Sequence, residues 1–146
     1  MIRRFLTLFL VLAVSGCVSL EKGVFLSKGT PVQVIDVSKD PIVSGFAVTE
    51  YKPTALRLIE YTRKQLLDRN IKTVAEPTSG AAILKYDIRT VSRTYHFLLI
   101  YTATLETPDG KVVFSDENDK HESKIDELLD DIATRTARGV AKAFRQ

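Results

Sequence analysis

From Pro31 onward the chain switches between two hydrophobic periods, and the switches mark its elements. Val32-Gln33-Val34-Ile35-Asp36-Val37 is rich in β-branched residues and bounded by Pro31 and by Ser38-Lys39-Asp40-Pro41, which predicts a first strand. Pro41 to Tyr51, with Gly45, reads as a connecting loop. Pro53 suits the first turn of a helix, where its missing N–H is not needed. Ala55, Leu58, Ile59, Thr62 and Leu66 then recur at helical spacing on one face, and Asn70 supplies a left-handed stop.

The middle of the chain alternates instead. Ile71 to Val74 reads as a short strand, and Glu76-Pro77-Thr78-Ser79-Gly80 breaks the chain. Ala82, Leu84, Tyr86 and Ile88 then interleave with Ile83, Lys85, Asp87 and Arg89, the pattern of an antiparallel strand covered on one side only. A longer strand is predicted from Tyr95 to Thr107, and Pro108-Asp109-Gly110 turns it into a hairpin with Lys111 to Phe114. The last segment is helical: Ile125, Leu128, Leu129, Ile132, Thr136, Val140 and Ala143 share a face, and Ser123 with Asp126 resembles a capping box. Acids crowd its first half and Arg135, Arg138, Lys142 and Arg145 its second, complementing the helix dipole at both ends.

Strands and helices in this order are most easily buried as two layers. The expected fold is α+β, a two-layer sandwich with a mostly antiparallel sheet of about four or five strands and two helices on one face.

The N-terminus follows other rules. Met1-Ile2-Arg3-Arg4 is cationic, Phe5 to Val14 is greasy apart from Thr7, and Ser15, Gly16 and Cys17 follow. Ten helical residues rise about 15 Å, half of a hydrocarbon core of roughly 30 Å, so the run reads as a cleaved export signal and not as a permanent span. Val14-Ser15-Gly16-Cys17 resembles the lipobox of bacterial lipoproteins. The resemblance implies diacylglyceryl transfer to the Cys17 thiol, cleavage before Cys17, and a further acyl chain on the new N-terminus. The Ala13-x-Ser15 pattern also fits an ordinary signal peptidase, which would release a soluble protein with Cys17 free. Sorted lipoproteins of this type retained at the inner membrane carry Asp after the Cys; Val18-Ser19 lacks it, which implies the outer membrane, facing the periplasm.

The chain therefore divides into a signal over 1–16, a lipid anchor and tether over 17–30, and one domain over 31–146. Within the tether, Val24-Phe25-Leu26 reads equally well as an edge strand of the domain. The domain's pattern resembles that of the lipopolysaccharide-assembly lipoprotein, the N-terminal domain of TolB and the lipoprotein activators of penicillin-binding proteins. The residues that carry the likeness are Leu66-Leu67-Asp68-Arg69-Asn70, the strand from Ile71, the entry Gly80-Ala81-Ala82-Ile83-Leu84, the Asp109-Gly110 turn and the closing helix.

Composition sharpens this picture. The 146 residues carry 21 Lys+Arg and 18 Asp+Glu. Without residues 1–16, which hold Arg3 and Arg4 and no acid, 130 residues remain with 19 basic and 18 acidic side chains. The mature chain is nearly neutral, which together with export argues against a nucleic-acid partner. A single Cys excludes an intrachain disulfide, and lipidation consumes a thiol that would otherwise stand unpaired in an oxidising compartment.

Candidate chemistry is sparse. His96 and His121 have no companion His or Cys at ligand spacing, and no Ser sits in a Gly-x-Ser-x-Gly setting. The acidic stretch from Asp116 fails as a calcium loop: Asn118 and Glu127 fit, but Lys120 and His121 occupy a ligand and the turn-glycine position, so it reads as a solvated loop leading into the helix. No enzyme activity, cofactor or metal is expected. On the long strand Leu98 and Ile100 fall on the face opposite Phe97, Leu99 and Tyr101, with Ile83 and Val91 as candidate neighbours. They form either an exposed contact patch or a surface covered by residues 41–51 through Ile42, Val43 and Phe46. Two functions fit: a non-enzymatic, lipid-anchored accessory or scaffold subunit of an envelope complex for assembly, secretion, flagellar or cell-wall work, with a protein partner or a homo-oligomer, or a carrier or sensor for a small amphiphile.

Overall fold

The computed structural model describes residues 20–45 and 51–144, so the Val14–Cys17 motif and Phe46 lie outside the described residues. In chain order the elements are β1 (Val32–Asp36), β2 (Ile42–Gly45), α1 (Tyr51–Leu67), β3 (Thr73–Val74), β4 (Ala82–Arg93), β5 (Phe97–Glu106), β6 (Val112–Glu122) and α2 (Ile125–Lys142). They form the expected two-layer α+β sandwich, with six strands in the order β3-β1-β4-β5-β6 and β2 beside β4. The longest pairings, β4–β5 and β5–β6, are antiparallel, whereas β1 runs parallel to β3 and β4, and β2 parallel to β4. The mixed character follows from the connection: between β1 and β4 the chain passes through α1, and a helical crossover returns the chain in the same direction.

Both helices bury their apolar stripes on one face of the sheet. Leu58 and Leu66 of α1 and Leu128, Leu129, Ile132 and Val140 of α2 join Leu84, Tyr86, Leu99 and Leu105 in one core. The helices run side by side in the same direction, as the pairs Arg57–Asp126 and Gln65–Asp130 show. Asn70 adopts φ 60°, the left-handed stop expected of it.

Four readings are corrected. The loop Pro41–Tyr51 contains β2, an edge strand four residues long and too short to carry a periodic signal. The acidic loop from Asp116 is instead the second half of β6, which runs to Glu122. Edge strands tolerate charge because one side of the ladder faces solvent, and charge there suppresses edge-to-edge association. The capping box does not form: the N-cap of α2 is Lys124, without a side-chain cap bond, and Asp126 is drawn away to Arg57 and Tyr61. Tyr95 stands 95% exposed in the β4–β5 turn, and the strand begins at Phe97.

The segment Leu20–Thr30 lies against the domain. Glu21 N–H donates to Val112 O at 3.0 Å, Leu26 N–H donates to Ala143 O at 2.8 Å, and Leu26 is buried in the core beside Phe144. Val24-Phe25-Leu26 does not form the edge strand: Leu26 alone makes an isolated parallel bridge to Phe144, and the segment docks through it.

β4 is the strand to which the others are referred, and it is irregular at one point. Ile88 pairs with Tyr101 and Thr90 with Ile100, so Arg89 is an extra residue, a β-bulge. At the same level the neighbouring strand breaks: β1 stops at Asp36 opposite Tyr86, and β2 resumes at Ile42 opposite Thr90. Ser38 closes the gap. Its Oγ accepts from Ile88 N–H at 2.7 Å and donates to Asp36, whose carboxylate also accepts from Ser38 N–H at 2.9 Å. Ser38→Ala should therefore strand the Ile88 amide and lower stability by about 1–3 kcal/mol in urea unfolding; an unchanged midpoint would show that water replaces the hydroxyl at no cost.

Two tyrosines occupy the centre of the core edge to face, with centroids 6.1 Å apart. Thr62 Oγ1 donates to Leu58 O at 2.8 Å and lies 2.8 Å from Tyr86 Oη, so its single proton is spent and the Tyr86 phenol donates to it. The Tyr101 hydroxyl is buried with no hydrogen-bond partner among the described residues. Burial pushes the Tyr86 phenol up to about 12 and, with the Asp116 charge, raises that of Tyr101 as well. Tyr86→Phe should cost about 1 kcal/mol, whereas Tyr101→Phe should be neutral or stabilising, because it removes an unsatisfied polar group. The unfolded chain ionises tyrosine first, so this contribution is present below pH 10 and lost as pH rises toward 12. Denaturant midpoints across that window should fall less steeply in Tyr86→Phe than in the wild type.

Candidate functional site

Leu98 and Ile100 project from the sheet face opposite the helices and are half-buried. The register places Ile100 between Thr90 and Asp119, and Leu98 between Ser92 and His121. Ile42, in register with Thr90 and 67% exposed, extends this row across the sheet. Val91 does not belong to it: the bulge at Arg89 reverses the alternation, so Val91 pairs with Leu99 and is buried under the helices. Ile83 keeps its place on the open face but pairs with Glu106 at the far end of β4. A covering loop is also corrected in its described part, since Ile42–Gly45 lies in the plane of the sheet and Val43, opposite Val91, packs on the core.

Around this apolar row the open face is ionic. Lys85 pairs with Glu106 at 2.8 Å, and Arg89 reaches Glu117 at 2.6 Å and the Thr102 hydroxyl at 3.0 Å. The bulge that reverses Val91 is what frees Arg89 for this role. Sequence alternation alone cannot reveal it, because a single inserted residue leaves no compositional mark.

On the helix side, the outer strand β6 and α2 enclose a groove of about 410 Å³ lined by Phe114, Asp116, Lys120, Asp131, Arg135 and Arg138. Arg135 holds Asp116 through both ends of its guanidinium, at 2.7 and 3.0 Å, and this pairing raises the Arg135 pKa above its ordinary value. Lys120 lies 3.5 Å from Asp131. The polar side chains of this stretch are thus distributed by strand alternation, with Asp116 and Asn118 toward α2 and Glu117 and Asp119 toward the open face. His96 sits in the β4–β5 turn and His121 in β6. Among the described residues no group of three or more His, Cys, Asp or Glu side chains is placed to hold a metal ion. No helix among them is long and apolar enough to cross a membrane.

The closeness of α2 to β6 depends on Gly139. A Cβ there would stand 2.1 Å from the Phe114 ring. Gly139→Ala should cost about 1–3 kcal/mol through overpacking, and Phe114→Leu in the same chain should recover part of it. Thermal unfolding of the single and double variants checks this, and a neutral single variant would refute the close contact.

No protein-family model matches the chain, and no curated protein matches it in sequence. Its fold is similar to that of solved structures. The PelC dodecamer from Paraburkholderia phytofirmans superposes with a TM-score of 0.57 at 13% identity, over 84% of this chain and 93% of that one. A point variant of the same dodecamer gives 0.58 at 12%, over 82% and 95%. A Xanthomonas campestris protein of a domain family of unknown function gives 0.56 at 12%, over 86% and 91%. At these identities the likeness is one of fold.

Proposed function

We propose that the chain is a lipid-anchored, non-enzymatic accessory subunit of a bacterial envelope complex, held at the outer membrane through Cys17, facing the periplasm, and working as a homo-oligomer. The observation that carries this reading is the Val14-Ser15-Gly16-Cys17 motif standing directly before a domain that is docked from Glu21 onward. The similarity of fold to a PelC dodecamer supports self-association. The row Ile42, Ile100 and Leu98 offers an apolar contact on the open face, bordered by charged groups that set its orientation. The amphiphile-carrier reading needs room between helices and sheet, and Tyr86, Tyr101, Leu99, Leu128 and Ile132 fill that space, fully buried.

Intact mass and light scattering of the full chain extracted from membranes in mild detergent test both halves. A diacylglyceryl and an acyl group on Cys17, and an assembly larger than a monomer, are expected. Leu98→Asp with Ile100→Asp should leave a folded monomer, with the far-UV circular dichroism of the wild type. An unmodified Cys17 would overturn the anchor, and a monomeric wild type the oligomer. A monomer with a lipid in its native mass would favour the carrier.

A further inference from the structure

Both helices end at the same edge of the sandwich, and the entering chain crosses that edge. Leu26 is tied to Ala143 beyond the end of α2, Val32 N–H bonds Lys72 O at 2.8 Å beyond the end of α1, and Glu21 is tied to Val112 at the start of β6. Between these ends lies a cavity of about 380 Å³. Lys28, Arg69, Asn70 and Lys72 stand around it, Ile71 and Phe144 supply apolar wall, and among the described residues no carboxylate lines it.

The three cations are not consumed by the protein. Arg69 Nη1 donates to Gln65 O at 2.9 Å and to Gln65 Oε1 at 2.8 Å, both neutral, and the guanidinium keeps further donors. Lys28 and Lys72 make no ion pair or hydrogen bond among the described residues. A helix C-terminus attracts cations by its dipole, which accounts for Arg69. Lys28 comes from a separate segment, brought to the end of α2 and the same cavity by a turn in which Thr30 N–H bonds Ser27 O at 3.1 Å and Gly29 takes φ 88°, so three cations gather at two helix ends.

The chain length gives this end a direction. Val18, Ser19 and Leu20 alone separate Cys17 from the docked Glu21, a span of at most about 14 Å at about 3.5 Å per residue. An acyl chain on Cys17 therefore holds this edge close to the bilayer. Leu20, Phe25 and Leu67, each about half exposed, belong to the same edge and have no place in the core.

We propose that this cavity binds the phosphate of a membrane lipid headgroup, so that the domain stands on the bilayer on the C-terminal ends of its helices. The orientation rests on the reading of Cys17 as the anchor; the cavity's chemistry does not. The shared chemistry is a phosphate flanked by apolar contacts, supplied by a lipid or by the free ion, and the apolar walls at Ile71 and Phe144 favour the lipid.

The test is residue-resolved lysine acetylation of the full chain, mixed with vesicles of digalactosyldiacylglycerol, which lacks phosphate, or with the same vesicles containing one-third phosphatidylglycerol. Lys28 and Lys72 should react about 5-fold more slowly with the phospholipid present, the worth of one lysine at an anionic surface, while Lys39, at the β1–β2 break, keeps its rate. Arg69→Gln, with the wild-type circular dichroism and melting temperature confirmed, should restore their reactivity; Lys22→Gln, on the same edge but outside the cavity, should not. Unchanged rates, equal slowing at Lys39, or a Lys22→Gln effect as large as that of Arg69→Gln would overturn the site. Equal slowing by inorganic phosphate at matched concentration in the galactolipid vesicles would overturn the lipid as its source. The mass at Cys17 in the same preparation reports separately on the anchor, so an unmodified thiol with slowed Lys28 and Lys72 would remove the orientation and keep the site.

Discussion

The constraint on which the rest of the structure depends is that β4 must satisfy two unlike neighbours along one edge and a third along the other while keeping a single face dry. Ala82, Leu84, Tyr86 and Ile88 meet that demand by simple alternation. Past Ile88 alternation alone would turn Val91 to water and Thr90 to the core. The extra residue at Arg89 resets the phase, so Val91 joins the core and Thr90 and Ser92 face solvent. The break between β1 and β2 occurs at the same level, where the end of β1 leaves the ladder amide of Ile88 without a backbone partner, and the Ser38 hydroxyl takes its place. Bulge, strand break and side-chain bridge are one structural event, and it also decides that the apolar row on the open face is narrow and that Arg89 is available to pair with Glu117.

What was legible in the sequence follows from how burial writes itself into it. α1, the first half of β4, β5 and α2 each bury one face over several repeats, so Ala55 to Leu66, Ala82 to Ile88, Phe97 to Leu105 and Leu128 to Val140 carry clear periods. The half of β6 from Asp116 to Glu122 is an edge strand whose side chains are satisfied by ion pairs with Arg135, Asp131 and Arg89, and such pairs leave the composition of a loop. β2 is four residues long, below the length at which a period is visible. The absent capping box has another cause: a tertiary partner, Arg57, outcompetes a local one for Asp126. The candidate contact residues Leu98 and Ile100 were legible because β5 is regular; their neighbour Val91 was misplaced because β4 is not.

The parallel run of α1 and α2 gives the domain two electrostatically distinct ends. A two-helix hairpin would have put one helix start and one helix end at each edge, mixing the dipoles. Here both C-terminal ends lie at the edge where the chain enters, and the cations Lys28, Arg69 and Lys72 gather there. The separate insertion of β3, β4, β5 and β6 between the helices makes this possible, because an even number of reversals in the sheet returns the chain to the same starting edge.

That polarity also separates the apolar row on the open face from the entry edge. Ile100 and Leu98 lie toward the start of β5, and Glu106, paired with Val112, lies at its end beside the point where Glu21 docks. Six residues from Ile100 to Glu106, at about 3.3 Å each, place the apolar row about 20 Å from the entry edge. A domain standing on a bilayer by that edge would present Leu98, Ile100 and Ile42 clear of the headgroups, on the open sheet face at a height set by the length of β5. Copies of the chain anchored side by side share that height without any search in the vertical direction. Confinement to two dimensions raises their effective concentration and so strengthens an association that the extracted chains already make.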